Sequence, residues 1–353
     1  MKIIFLLASL GSGGAERVVS LLANKMCEDG HDVQIICLKF NDVYYQIDKK
    51  VKIVKAKEHT QNRLTELFWL RHYLLKEKPD VVIPFTEGVF CFTIAALLGT
   101  DIPIIASERL DPAAMSLTRR ILKRLLLPYA DWLVVQTQSI KEYFPPKIQA
   151  KTSVIYNPVR EEVFENPSMD SRDQSSKQNR IISVARLYPQ KNQEMMIRAF
   201  AKIANEFPDW QLVIFGEGPL RSSLELLVKS LQLEGRVLLP GRTNHVIDEL
   251  RKSKIFCLSS DYEGMSNSMI EAMCVGLPII STKVSGTDEL IKDGVNGFLI
   301  DVGEEKGMAD ALKRVIQEEA LMTQMGEANR KIVFLFQTDT IVNEWMDLIR
   351  RVL

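Results

Sequence analysis

The feature that most constrains the fold is an alternation between short apolar runs and segments with helical spacing, which occurs twice along the chain. Each run is continuously apolar, which is typical of a strand buried on both faces of a parallel sheet. The intervening segments, such as AERVVSLLANKMCEDG and QEMMIRAFAKIANEF, place apolar residues on one helical face. This alternation predicts an α/β fold with helices on both faces of each sheet. The predicted strands lie at residues 2–10, 31–40, 79–85, 102–108 and 131–137, and then at 180–186, 211–218, 236–242, 254–260, 278–284 and 297–300.

A polar stretch separates the two halves of this alternation. The apolar pattern stops near residue 151, and roughly fifteen residues rich in Ser, Asn, Gln and Asp precede the next strand. A chain of 353 residues suits two domains of about 150 to 200 residues each. We predict two Rossmann-like domains, whose ligands bind outside the carboxyl ends of the strands. The predicted boundaries are 1–165 for the first domain, 166–179 for a linker, 180–335 for the second domain and 336–353 for a final helix that returns to the first domain.

Charge balance and cysteine usage disfavour several classes of protein. Lys and Arg together number 45, as do Asp and Glu, so no net field draws the chain to nucleic acid. Five cysteines without C-x-x-C spacing favour reduced thiols in a cytoplasmic protein over disulfides or a zinc site. The apolar N terminus runs directly into GSGGAER, which favours a buried strand over a signal peptide. No segment reaches the ~18 apolar residues of a membrane span.

A glycine-rich turn follows the first predicted strand. In GSGGAER, backbone N–H groups at the start of a helix could approach an anion. The turn lacks the spacing G-x-G-x-x-G, and no acidic residue clearly caps the second strand, which disfavours a dinucleotide site. Two interpretations stay open: an anion site at Gly13 and Gly14, or a tight strand-to-helix turn.

Two carboxylates flank a predicted helix start in the second domain. In DYEGMSNSMIEAMCV, Glu263 precedes the turn and Glu271 lies eight positions later, inside an apolar helical run. Ser266 or Asn267 is a suitable N-cap, and the N–H groups from Met265 onward would then face a bound phosphate. Carboxylates beside a phosphate need hydrogen-bond donors, and sugar hydroxyls are suitable ones. The alternative for Glu271, a surface acid in an early helical turn, leaves Glu263 unexplained.

Two cations follow the first strand of the second domain. ARLYPQKN places Arg186 and Lys191 beyond the strand end and at the start of a helix. A cation pair in that position suits a diphosphate, whereas the plainer alternative is a solvated pair. The strand-end loops GEGP and PGRTNHV, which contain Gly216 and Arg242, either line a base or sugar or are ordinary turns.

Together these motifs resemble those of the retaining family 4 glycosyltransferases of GT-B fold. The resemblance rests on the E-x7-E pair, ARLYPQKN, SGGAER and the segment EAMCVGLPIISTKVSGTDELIKDGVNGFLI, and it covers nearly the whole chain. It implies two Rossmann-like domains facing across a cleft and a nucleotide-sugar donor, for which we expect UDP. It also implies that no metal or other cofactor takes part, and the sequence agrees in lacking a D-x-D triplet.

The resemblance also implies roles for individual residues. In that family the Arg and Lys stabilise the leaving diphosphate, which implies Arg186 and Lys191 here. It implies further that Glu263 contacts the donor sugar, that Glu271 contacts the ribose, and that the glycine turn lies against the diphosphate. The catalytic residues that we predict are Arg186, Lys191 and Glu263, and the predicted donor-binding residues are Gly13, Gly14, Gly216, Arg242, Met265, Ser266, Asn267 and Glu271.

The chain departs from the family pattern after the strand at 102–108. Many relatives carry a histidine there, near the reacting sugar, whereas this chain reads SERLDP with Arg109 at that position. Glu108, Arg109 and Asp111 are therefore candidates for recognising the donor sugar or the acceptor.

The segment SLTRRILKRLLLPYADWLVV contains a basic amphipathic helix. Arg119, Arg120, Lys123 and Arg124 alternate with leucine and isoleucine at helical spacing. One interpretation is a core helix with a solvated face. The other is contact with an anionic membrane that carries a lipid-linked acceptor, and the family resemblance favours it. The protein would then be cytoplasmic and peripheral on the inner face of the cell membrane.

We therefore predict an enzyme that moves a hexose or N-acetylhexosamine from UDP to a glycan acceptor, lipid-linked, with retention at the anomeric carbon. Such a reaction belongs to the assembly of cell-surface polysaccharides or oligosaccharides, and the chain resembles bacterial N-acetylgalactosaminyltransferases that extend lipid-linked oligosaccharides. Two alternatives remain: a GT-B-fold sugar-nucleotide epimerase, which needs acid and base groups around the sugar, and a non-catalytic sugar-nucleotide-binding protein, which needs no acceptor groove.

Overall fold

Two units make up the chain. The computed structural model describes residues 1–39, 43–109, 116–164 and 177–353. The first unit comprises Met1–Pro158 together with Phe336–Leu353, and the second comprises Val159–Leu335. Each unit is an α/β structure with parallel strands, which confirms the predicted fold class.

The first unit alternates strands and helices as the apolar runs predict. Its strands are β1 (Lys2–Leu7), β2 (Asp32–Cys37), β3 (Lys52–Lys55), β4 (Val81–Pro84), β5 (Ile105–Ser107), β6 (Trp132–Val135) and β7 (Thr152–Val154), and its helices are α1 (Gly14–Glu28), α2 (Arg63–Glu77), α3 (Glu87–Leu97), α4 (Leu117–Leu126), α5 (Gln138–Glu142) and α6 (Pro146–Gln149). The strands pair in the orders β3-β2-β1-β4 and β5-β6-β7. Isolated parallel bridges, Val82 to Ile104 and Phe85 to Ser107, join these two groups.

Strand β1 shows why its sequence is apolar without interruption. Ile3, Phe5 and Leu7 belong to one buried cluster, which also contains apolar residues of α1. Ile4 and Leu6 belong to a second cluster, with residues of α2 and α3. Because successive strand residues point to opposite faces, both faces of the sheet are covered.

The second unit contains one six-stranded parallel sheet. Its strands are β8 (Arg180–Val184), β9 (Gln211–Phe215), β10 (Val237–Gly241), β11 (Ile255–Leu258), β12 (Ile279–Thr282) and β13 (Gly297–Ile300), and its helices are α7 (Gln193–Ile203), α8 (Arg221–Ser230), α9 (Val246–Arg251), α10 (Asn267–Cys274), α11 (Thr287–Leu290), α12 (Glu305–Gln317) and α13 (Glu319–Arg330). The order β10-β9-β8-β11-β12-β13 puts β8 and β11 side by side at the centre. The loops that follow these two strands carry the three predicted catalytic residues, Arg186, Lys191 and Glu263.

The predicted boundary at residue 165 needs correction, because the second unit already begins at Val159. Arg251, at the end of α9, donates hydrogen bonds through Nη2 to the backbone oxygens of Glu162 (3.0 Å) and Val163 (3.3 Å). Residues 165–176, which include most of the predicted linker, lie outside the described residues. Gln178 is part of the second unit, and its N–H donates to Lys252 O (2.9 Å).

The last helix, α14 (Thr338–Val352), belongs to the first unit although the second unit precedes it in sequence. Trp345 of this helix is fully buried, and its ring stacks 5.9 Å from that of Phe85, just beyond β4. Burial of an indole of this size anchors the C terminus to the first unit.

Candidate active site

Two loops of the second unit are tied together at the carboxyl ends of β8 and β11. The N–H of Asp261 donates to Gln190 O (2.9 Å), and the side-chain amide of Gln190 donates to Tyr262 O (2.8 Å). Asn192 adds a third link, from Nδ2 to Asp261 Oδ1 (2.8 Å). Since β8 and β11 are paired neighbours, the sheet itself brings these two loops together.

Lys191 and Glu263, two of the predicted catalytic residues, meet between these loops. The Lys191 ammonium forms an ion pair with Glu263 Oε1, and the two side chains are only 14% and 8% exposed. The same carboxylate oxygen accepts a hydrogen bond from the Ser260 hydroxyl (2.7 Å). A hydrogen-bonded, largely buried pair of this kind holds both charges in a defined position.

Two adjacent serines at the end of β11 support this ion pair, and the sequence analysis missed both. Ser259 donates through Oγ to Lys191 O (2.8 Å), while Ser260 donates to Glu263. Both serines are fully buried. The available signal was the polar pair that ends the apolar run KIFCLSS, since buried hydroxyls need partners.

The predicted cap of α10 is confirmed at Ser266, whose Oγ accepts the N–H of Met269 (3.4 Å). Ser268, in the first turn, donates through Oγ to Val184 O at the end of β8 (2.8 Å). The helix start is thereby fixed to the central strand. Glu271 is buried within this helix, only 1% exposed, so it is no surface acid.

Arg186 is exposed, unlike Lys191, and its guanidinium lies 5.1 Å from the ring centre of Tyr188. Its backbone oxygen accepts Gln193 Nε2 (2.8 Å), which fixes the main chain but leaves the side chain at the surface. Asn267 starts α10, and Met265 is buried just before it. The structure therefore brings Lys191 and Glu263 together and does not show Arg186 bonded to either.

Gly216 and Arg242 follow β9 and β10. Gly216 has φ +150°, and a Cβ built there would lie 1.9 Å from the carbonyl oxygen of Ala185 after β8. Only glycine lets the two strand ends approach this closely. Arg242 is exposed directly after β10.

The glycine turn of the first unit begins α1, with Gly13 as the N-cap and Gly14 as the first helical residue. A Cβ at Gly13 would lie 2.0 Å from Glu16 Oε2, so that carboxylate folds back over the turn. The tight turn that we kept as an alternative is thus present. The anion site at this turn stays a prediction.

Glu108 and Arg109 follow β5 and are buried. Glu108 accepts hydrogen bonds from the Lys123 ammonium (3.0 Å) and the Arg109 backbone N–H (3.1 Å). Arg109 donates through Nη1 to Asn157 Oδ1 (2.7 Å). Burial lowers the pKa of Arg109 to about 9, and the charge of Glu108 partly opposes that shift. Asp111, the third candidate, lies outside the described residues.

Helix α4 corrects the prediction for Lys123. Lys123 is buried with Glu108 rather than exposed to a membrane, whereas Arg119, Arg120 and Arg124 are exposed. Most apolar side chains of the helix are exposed as well, with Leu117 70%, Ile121 52%, Leu122 48% and Leu125 65% accessible, while Leu126 is half-buried against the core. These four residues are thus not packed in a core, and contact with a membrane stays a prediction. A cavity of about 690 Å³, lined in part by Leu117, Ile121, Phe144 and Ile148, lies against the helix.

No helix within the described ranges has both the length and the apolarity to cross a bilayer.

Comparison with known proteins decides the family. A model of Glycosyltransferase Family 4 matches residues 12–163, and a model of glycosyl transferases group 1 matches residues 166–332. The chain belongs to the family 4 glycosyltransferases of GT-B fold. The two matches divide the glycosyltransferase close to the border between its two units.

Relatives of this glycosyltransferase match over its whole length. A Campylobacter jejuni alpha-1,4-N-acetyl-D-galactosaminyltransferase, named for a diNAcBac-PP-undecaprenol saccharide, is 31% identical over 100% of this chain and 99% of its own. A second N-acetylgalactosaminyltransferase of the same organism, named for a diphospho-undecaprenol saccharide, is 30% identical over 91% of each chain. Among solved structures, Anabaena HepE in complex with UDP and glucose has a TM-score of 0.85 at 21% identity, covering 99% of both chains.

Proposed function

We propose that this glycosyltransferase moves a hexose or N-acetylhexosamine from a UDP-sugar to a lipid-linked glycan, with retention at the anomeric carbon and without a bound metal. The observation that carries the proposal is the Lys191–Glu263 ion pair, which a hydrogen bond from Ser260 supports. Glu263 lies three residues before Ser266, the cap of α10. An ammonium, a carboxylate and a helix N terminus in this arrangement suit a sugar attached to a diphosphate.

Each group has a task in that reaction. A leaving diphosphate develops negative charge, which a positioned ammonium and the N–H groups at a helix start stabilise. When the diphosphate attracts Lys191, Glu263 is released to accept hydrogen bonds from sugar hydroxyls. Fixed protein charges then do what a metal ion does in other phosphate sites. Arg186, exposed beside the same loop, adds a second cation that can reach the diphosphate.

The names of the relatives support the choice of substrates. Both Campylobacter enzymes are named for saccharides on undecaprenyl diphosphate, and Anabaena HepE was crystallised with UDP. Glu271, buried in α10, is the residue that we assign to the ribose hydroxyls of the donor.

Helix α4 supports a lipid-linked acceptor. It exposes Leu117 and Leu125 beside the three cations Arg119, Arg120 and Arg124. Apolar residues flanked by cations are typical of helices that lie on anionic membranes. We place this contact on the inner face of the cell membrane, where the enzyme would meet both a cytoplasmic nucleotide sugar and a lipid carrier.

A transfer assay tests the proposal. The protein is incubated with UDP-sugars, with and without an extract of bacterial membrane lipids, in the presence of EDTA. We expect a lipid-linked product only with the extract, and NMR of that product should show the anomeric configuration of the donor. A new UDP-sugar epimer formed without the extract would instead indicate an epimerase, and binding without any product would indicate a sugar-nucleotide-binding protein.

A further inference from the structure

Arg109 is held in place by three contacts within the first unit. Its guanidinium lies 4.4 Å from the ring centre of Phe85 and 5.9 Å from that of Trp345 in α14. Its Nη1 donates to Asn157 Oδ1, and the residue is only 7% exposed. Stacking on aromatic rings fixes the plane of a guanidinium.

One edge of this guanidinium makes no hydrogen bond within the part of the chain that the structure describes. Nε and Nη2 of Arg109 are both buried and have no partner among the described residues. Leaving donors of a charged group buried and unpaired costs free energy. The charge of Glu108 favours the guanidinium, but its carboxylate accepts from Lys123 and from the Arg109 backbone and not from Nε or Nη2.

Two further buried polar atoms at the same sheet edge, Ser107 Oγ and Gln136 Oε1, have no hydrogen-bond partner in the described ranges. Ser107 ends β5 and Gln136 directly follows β6, and these strands are paired in parallel. Ligands of such sheets bind at the carboxyl ends of the strands. The side-chain oxygen Oε1 of Gln136 needs a hydrogen-bond donor such as a hydroxyl, whereas Nε and Nη2 of Arg109 need acceptors.

We propose that Arg109 binds, through Nε and Nη2, a carboxylate or phosphate on a hydroxylated substrate of the proposed transfer reaction, on which this assignment rests. Nε and Nη2 lie on one edge of a planar group and match the two oxygens of such an anion. A hydroxyl of the same substrate donates to Gln136. The substrate that the first unit takes is therefore acidic, either an acidic sugar or a phosphorylated one.

Arg180 provides a matched control in the second unit. It is as buried as Arg109, at 7% exposure, but its corresponding edge is filled by the protein. Nε donates to Ser253 Oγ (2.8 Å), and Nη2 donates to Glu249 Oε2 (2.7 Å). A lysine has one ammonium and cannot replace the paired Nε and Nη2 donors of an arginine. Arg109→Lys and Arg180→Lys therefore remove this pair of donors and keep the positive charge.

The test measures the thermal midpoint of the full-length protein with glucuronate, glucose 1-phosphate or glucose. All variants also carry Lys191→Ala, which weakens phosphate binding at the second unit. We expect glucuronate or glucose 1-phosphate to stabilise the parent more than glucose does. Arg109→Lys should weaken that binding roughly tenfold or more, and it should lower the midpoint without ligand less than Arg180→Lys does. Arg180→Lys should lower the midpoint and leave binding unchanged.

The responding probe identifies the source of the anion, glucuronate for an acidic sugar and glucose 1-phosphate for a phosphate. The proposal is overturned if neither probe acts better than glucose, or if Arg109→Lys keeps the full response. It is also overturned if Arg109→Lys lowers the ligand-free midpoint as much as Arg180→Lys does. Should Arg109→Lys not fold, Arg109→Gln is measured in the same way. Absence of sugar transfer by the wild-type protein contradicts the proposed function alone.

Discussion

At the scale of single residues, the candidate active site depends on buried side chains that hold Lys191 and Glu263 in fixed positions. Ser260 touches the carboxylate itself, and Ser259 fixes the main chain of the lysine. In the proposed mechanism both charges must change partners when the diphosphate arrives. Their starting positions are therefore part of the chemistry.

Ser260→Ala should lower kcat, and it should also cost stability because the buried Glu263 carboxylate loses a hydrogen-bond donor. The substitution removes a hydrogen bond to a charged group, which contributes about 1.5 kcal/mol, so kcat should fall roughly tenfold. Ser281→Ala is the matched control, since Ser281 is equally buried but its Oγ donates only to Thr282 O (3.0 Å). Steady-state kinetics of both variants check this, and an equal loss in both would contradict a positioning role.

Lys177 should destabilise the folded protein at neutral pH. Its ammonium is buried without a hydrogen-bond partner among the described residues, and burial with the nearby charges of Arg330 and Lys254 lowers its pKa from 10.5 to about 8. The unfolded chain then binds more protons between pH 8 and 10.5, so stability rises with pH through that window. Below pH 8 the penalty is complete, on the order of 3 kcal/mol.

Lys177→Met should therefore raise the free energy of unfolding at pH 7, and the gain should shrink as the pH rises above 8. Denaturant unfolding at several pH values measures it. Lys229→Met, at an exposed position, serves as the control and should change little. A gain that persists unchanged at pH 10 would contradict the lowered pKa.

At the scale of secondary-structure elements, α4 is the helix whose exposure differs from that of an ordinary amphipathic helix. Leu117, Ile121, Leu122 and Leu125 are exposed together with its arginines. Its one buried cation, Lys123, forms an ion pair with Glu108 after β5, and Leu126 packs against the core. The helix is thus attached to its unit by this ion pair and by Leu126, while its other apolar side chains stay accessible.

Replacing Arg119, Arg120 and Arg124 with Gln should weaken binding to anionic vesicles. Each cation near such a surface contributes about 1 kcal/mol, so the variant should bind roughly a hundredfold more weakly. Lys123 is left in place because its removal would take away the cation that pairs with the buried Glu108 carboxylate. Vesicle sedimentation measures the effect, and binding by the parent should weaken as salt rises.

A control variant carries the same change of charge elsewhere. Lys202, Lys229 and Arg314 are exposed on the second unit, and replacing them with Gln should leave vesicle binding unchanged. Equal losses in the two triple variants would mean that net charge, and not α4, determines membrane binding.

Strands and helices could be predicted from the sequence where a single physical cause determines their residues. The central strands were recognisable because burial on both faces demands a continuous apolar run, as in β1 and β11. Strand β3, with the sequence KIVK, escaped prediction because lysines at both ends shorten its apolar signal. The cap at Ser266 followed from local chemistry, whereas the Glu108–Lys123 pair depends on tertiary packing that no spacing reveals.

At the scale of the whole molecule, the chain is a GT-B glycosyltransferase whose candidate residues divide between two units. The second unit carries Lys191, Glu263 and the start of α10, while the first carries the glycine turn and Arg109. Sequence motifs predicted this division, since each group follows a strand of its own sheet. They did not predict that the second unit begins at Val159, where the Arg251 side chain donates hydrogen bonds to the backbone oxygens of Glu162 and Val163.

The proposed metal independence concerns the complete enzyme. If protein cations and the helix start carry the charge of the leaving diphosphate, excess EDTA should leave the rate of sugar transfer unchanged. Loss of activity in EDTA, restored by manganese, would mean that a metal occupies the phosphate site instead. The same preparation without EDTA is the control.

The turnover of Lys191→Ala is the most direct test of the role that we propose for the Lys191 ammonium. In the proposed mechanism the Lys191 ammonium stabilises the negative charge of the leaving diphosphate, so removing it should lower kcat by roughly two to three orders of magnitude. The measurement is kcat at saturating UDP-sugar and lipid acceptor, in EDTA, for the parent and the variant, with folding checked by thermal melting. A folded Lys191→Ala enzyme with nearly normal kcat would contradict the account.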